Sequence, residues 1–114
     1  MTYPDFIQNF PALDLPFGED IVQSRAVRSD AGLVVFFTFL QDFDLPEHAH
    51  LAQWGLLVSG EIELTIGGQA KSYRPGETWN IPAGVPHSAR IKAGTCLMDV
   101  FEEPDRYPLK AATT

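Results

Sequence analysis

From Ile21 onward the chain is a succession of short apolar runs separated by turn-forming residues, which is the pattern of an all-β domain. Ile21 to Arg28 reads as one strand, and Leu33 to Leu40 as a second. The latter is a continuous β-branched and aromatic run of the kind found where both faces of a strand are covered. Asp30-Ala31-Gly32 supplies the turn between them. The stretch from Gly60 to Ile66 alternates cleanly, with Ile62, Leu64 and Ile66 on one face and Glu61, Glu63 and Thr65 on the solvated other. Gly67-Gly68 can take the positive φ angles of a tight hairpin, so the chain is expected to reverse into Gln69 to Tyr73. Further short strands are expected at Thr78 to Ile81, Ser88 to Ile91 and Thr95 to Phe101. No window holds a helical period, and evenly spaced short strands predict a sandwich or barrel.

The first 18 residues carry Pro4, Pro11 and Pro16 among scattered aromatics, which predicts an extended arm without a helix, packed on the domain by its rings. A chain of 114 residues supports one core, so residues 1–18 are read as the arm, 19–104 as the barrel and 105–114 as a tail. Fifteen acidic against eight basic residues give a net charge of -7, which disfavours phosphate backbones and anionic headgroups; nucleic acid and membrane are not expected partners. The opening residues include acids and prolines and no uninterrupted apolar run, so neither a signal peptide nor a membrane span is expected, and a cytoplasmic location is. Cys96 is the sole cysteine and reads as a small buried side chain.

Chemistry enters with the three histidines, of which His48 and His50 are spaced i, i+2. On a strand that spacing projects both imidazoles from one face, where they can share a metal. His87 follows the rigid turn Pro82-Ala83-Gly84-Val85-Pro86.

The segment from Gly76 through Pro82 and Gly84 to His87 resembles the second cupin motif, in which Gly, Pro, Gly and His recur at those intervals. His48-Ala49-His50, followed by Gln53 and, seven positions later, Gly60, resembles the first. Gln53 stands where the family usually has glutamate, and it is closer to His50 than usual; Asp42 replaces an opening glycine and Ile91 a closing asparagine. The resemblance implies an all-β cupin (double-stranded β-helix, or jelly-roll) barrel. It implies one divalent metal held by His48, His50 and His87, with Gln53 as fourth ligand; alternatively, Gln53 is an ordinary strand residue. Every histidine in the chain falls on a ligand position, whereas a lone core histidine is ordinarily just hydrogen-bonded.

Such a nitrogen-rich shell suits iron, nickel, zinc, manganese or copper. With neutral imidazoles and a neutral amide, the metal would keep its double charge and attract an anion. The expected ligand is therefore a small, oxygenated or anionic molecule. Two functions fit: a metal-dependent enzyme of the dioxygenase, isomerase or lyase kind, and a non-catalytic small-ligand or metal-binding module. Asp99 and Tyr73 are candidate proton carriers whose strand face the sequence leaves open. Trp54 and Trp79 read as packing or dimer-seam residues. The phenylalanine-rich strand and the arm, with the resemblance, also lead to the expectation of a homodimer.

Overall fold

The computed structural model describes residues 1–111. A single helical turn, α1 (Asp5–Gln8), precedes nine strands: β1 (Val22–Ser29), β2 (Gly32–Phe39), β3 (Phe43–His48), β4 (Gln53–Ser59), β5 (Ile62–Ile66), β6 (Gln69–Tyr73), β7 (Thr78–Ile81), β8 (His87–Ile91) and β9 (Cys96–Phe101). They form two antiparallel sheets, of order β1-β2-β9-β4-β7 and β3-β8-β5-β6. The fold is the jelly-roll barrel that the strand pattern and motifs imply. Inward positions bury Leu33, Val35, Leu57, Ile81 and Leu97 almost completely. Each such aliphatic side chain contributes about 1.5–3 kcal/mol on burial. The barrel therefore has a core that does not depend on a bound ion.

Gly67 and Gly68 take φ of 56° and 82°, closing the β5–β6 hairpin as their sequence requires. Along β2 every second residue is buried and the others are partly covered. The cover comes from the arm, where Tyr3 and Phe10 place their rings 5.5 and 6.2 Å from that of Phe36. The arm is not extended throughout, as its prolines led one to expect. Pro4 and Pro11 flank the segment 5–10, which contains no proline, and there the amides of Ile7 and Gln8 donate to the Pro4 carbonyl to make one turn of helix. The Tyr3 hydroxyl, at 2.9 and 3.0 Å, lies between the carbonyls of Phe37 and Leu97 and pins the arm across β2 and β9. The arm's later part meets the tail: Leu13 bridges Leu109, and Asp14 N donates to Pro108 O at 2.8 Å.

One close approach positions the site. Gly55 on β4 lies directly under the indole of Trp79 on β7, and a Cβ built at Gly55 would fall within that ring. Gly55→Ala is thus expected to cost about 1–3 kcal/mol through overpacking. Thermal unfolding of Gly55→Ala and of Gly55→Ala/Trp79→Leu measures this; the second change should recover part of the loss, and failure to do so would refute the contact.

Candidate metal centre

Three segments bring the histidines together. Pro46 cannot donate to the sheet ladder, and β3 bulges there: Leu45 stands opposite Ala89 while His48 stands opposite His87, so β3 spends one more residue than β8 over this interval. The bulge turns His48 to the inner face. His50 lies beyond the end of β3, not on a strand with His48 as its spacing led one to expect. The Gly84 amide holds it in place by donating to the His50 carbonyl at 2.8 Å, which ties the loop of the first motif to the turn of the second. His87 opens β8 directly after that turn.

The ligand-capable nitrogens of the three rings lie within 4.8 Å of one another. The ring centroids are 4.2 Å apart for His48 and His87, 4.8 Å for His50 and His87, and 5.3 Å for His48 and His50. Each Nδ1 meets a backbone carbonyl: Pro46 O at 2.8 Å, Leu51 O at 2.7 Å and Val85 O at 2.9 Å. A carbonyl can only accept, so each Nδ1 carries the proton and each Nε2 keeps its lone pair. Among the described residues, the Nε2 atoms of His50 and His87 are buried without a hydrogen-bond partner. Burial lowers the pKa of both rings, with the neighbouring imidazoles and Arg106 acting in the same direction, which favours the neutral form that ligates metal. Orphaned, converging lone pairs of fixed tautomer fit a divalent ion.

Gln53, the first residue of β4, lines the same cavity as the three histidines. So does Asp99, which β9 presents opposite Gly55. Burial pushes the Asp99 carboxyl up to about 7, with the Gln53 amide and the Trp79 indole drawing it part of the way back. Among the described residues neither its Oδ1 nor the Trp79 Nε1 completes a hydrogen bond, so the indole acts on the carboxyl from outside hydrogen-bonding geometry. Tyr73 is buried too, but its ring packs edge-on against Trp79 at 5.3 Å and does not line the cavity. Trp79 is core and cavity wall, whereas Trp54 is 38% exposed. Ile91 does line the apolar wall, as its parity with His87 requires, and Cys96 is a buried free thiol.

Sequence reasoning did not single out Tyr107, which reaches the cavity from the tail and packs edge-on against Phe101 at 5.8 Å. Burial raises its pKa. The only signal was an aromatic residue in a segment otherwise read as tail. Arg106 stacks on Tyr107, with its guanidinium 4.7 Å from the ring centre, and does not line the cavity.

No curated protein matches the chain. Among solved structures it is similar to an RmlC-like cupin from Shewanella frigidimarina at 24% identity and TM-score 0.72, covering 87% of each chain. It is also similar to KdgF from Halomonas sp. at 23% identity and TM-score 0.70, covering 82% of this chain and 87% of that one. A third similarity, to a single-site variant of oxalate decarboxylase from Bacillus subtilis, has 21% identity and TM-score 0.68, and covers 87% of this chain but 29% of that one. At these identities the likeness is one of fold. The family model for the cupin domain matches residues 36–101, from the middle of β2 to the end of β9 and across all three histidines, and the chain belongs to that family.

Proposed function

We propose that the protein is a divalent-metal-dependent enzyme of the dioxygenase, isomerase or lyase kind, acting on a small oxygenated or anionic molecule at His48, His50 and His87. The observation that carries this reading is the pair of buried Nε2 atoms without partners, in rings whose Nδ1 protons are all committed to carbonyls. An unpaired buried nitrogen costs about 1–3 kcal/mol, and a metal removes that cost at both rings together. Gln53 is the proposed fourth ligand: its amide N–H end suits the Asp99 carboxyl, which leaves the amide oxygen for the ion. A metal bound there supplies Lewis acidity, or a site at which water or dioxygen is activated.

Asp99 favours an enzyme over a passive binding module. A buried carboxyl with a free oxygen facing the cavity weakens the hold on an anionic ligand, but it is suited to accept or deliver a proton on a bound molecule. Asp99 is therefore the proposed proton carrier. Elemental analysis of the isolated protein, with oxygen uptake and product analysis on a panel of diketones, phenols and hydroxy acids, tests the activity; turnover that is indifferent to chelator would refute the metal's role. Association as a homodimer is also part of the proposal, supported by Val27 and Trp54, which are 46% and 38% exposed. A scattering mass of a single chain at micromolar concentration would remove it.

His48→Ala and His87→Ala should each abolish metal retention through dialysis against chelator while the far-ultraviolet dichroism of the barrel persists, because the core does not include the ion. Stoichiometric metal in the double variant would sink the assignment.

Gln53→Glu replaces a neutral ligand by an anionic one of nearly the same shape. Metal should be held more tightly and small anions more weakly, since one unit of the ion's charge is then cancelled. The metal-free variant should in turn melt lower than the metal-free parent, because a second carboxyl is buried in the cavity with Asp99. A folded Gln53→Glu protein with unchanged metal and anion affinities would show that Gln53 is not a ligand.

A further inference from the structure

The walls beyond the histidines decide what else a ligand must be. On the four-stranded sheet, His87 stands between His48 and Ile66; the next inward rung is Leu45, Ala89 and Leu64, and the one after it Phe43, Ile91 and Ile62. On the facing sheet the inward residues of β9 run from Phe101 through Asp99 to Leu97, the last of which is paired with Phe37. Polar groups therefore cluster at the metal level and one step below it, and the barrel interior beyond is apolar on both sides. The cavity that runs past the histidines into this interior has a volume of about 60 Å³. At about 10–15 Å³ for each water-sized position, that is room for about five such positions. Among the described residues, no Lys or Arg lines it.

We infer that the ligand is a small monoanion with two chelating oxygens at one end and a short apolar tail of two or three carbons, which lies along the barrel past Ala89. This inference rests on the proposed metal centre. Among the described residues that line the cavity none is cationic, and the ion would sit at its histidine end. A charge on the chelating head is therefore met by the ion, while a second charge at the tail end would be buried among apolar side chains, away from it. Hydroxyl groups along the tail would likewise face Leu45, Leu64 and Ile91, none of which can hydrogen-bond. Ala89 is the small member of its rung, and it leaves space where a larger side chain would fill the path.

The test uses the full chain loaded with cobalt(II) and calorimetric titration of a homologous series of 2-oxo acids: glyoxylate, pyruvate, 2-oxobutanoate and 2-oxopentanoate. All four share the chelating head and the single charge. Affinity should rise about three- to fourfold for each added carbon, the gain expected from burying one methylene. The rise should level off near 2-oxopentanoate. 2-Oxoglutarate, of the same carbon count but with a second carboxylate, should bind at least about tenfold more weakly than 2-oxopentanoate, as an unpaired buried charge requires. Ala89→Leu should retain cobalt and bind glyoxylate as the parent does, while losing the dependence on tail length. An affinity that is flat or falls along the series in cobalt-loaded parent protein overturns the inference and leaves the metal centre standing, as does 2-oxoglutarate binding equal to that of 2-oxopentanoate. These outcomes need no variant to fold. Failure of the parent to hold cobalt overturns the metal reading itself, and this inference with it.

Discussion

The site depends on a bulge at Pro46. Phe43 and Leu45 point into the barrel opposite Ile91 and Ala89, and an unbroken ladder would next set Glu47 opposite His87. The extra residue instead sets His48 there, and the Pro46 carbonyl, released from regular pairing, accepts from His48 Nδ1 at 2.8 Å. One proline thus turns the imidazole inward, fixes its tautomer and keeps a carboxylate out of the position facing His87. The Gly84–His50 bond then brings the third ring in from a loop. None of the three rings is oriented by a carboxylate, so the cluster as a whole stays neutral.

That neutrality governs the electrostatics of the cavity. Three imidazoles with Nδ1 protonated and, at Gln53, an amide supply lone pairs but no countercharge. Among the described residues that line the cavity the one carboxyl is that of Asp99, and its place on β9 puts it one rung below the histidine level. The two ends of the cavity thus differ in kind: a polar end able to hold an ion and move a proton, and an apolar end able only to exclude water. Exclusion matters to the polar end, because hydrogen bonds and charges act more strongly in a low dielectric. The arm and tail contribute to it, since Leu15, Phe17 and Tyr107 close part of the cavity wall.

The strands of cleanest pattern were the most legible. Gln69 to Tyr73 and Thr78 to Ile81 form with the ends expected, because a glycine pair and a proline turn punctuate them. β3 and β4 were not delimited, for a physical reason: Asp44, Pro46 and Glu47 interrupt the apolar alternation of β3, and Gly55 interrupts that of β4. These interruptions are the features that build the site. The helical turn at Asp5–Gln8 was missed because three prolines read as extended chain, although none of them falls inside the turn.

By itself the sequence determined the fold class, since turn residues and strand alternation are local properties of the chain, and its resemblance to the two cupin motifs grouped His48, His50 and His87. It also placed Ile91 on the cavity wall by its parity with His87. Only the tertiary structure decided how the histidines converge, because a bulge and a loop-to-turn hydrogen bond are settled by pairing between segments far apart in the chain. It likewise separated Asp99 from Tyr73, bringing the first into the cavity and setting the second behind Trp79. Which face a strand residue occupies depends on register against its neighbours, and register is fixed by packing across the whole barrel.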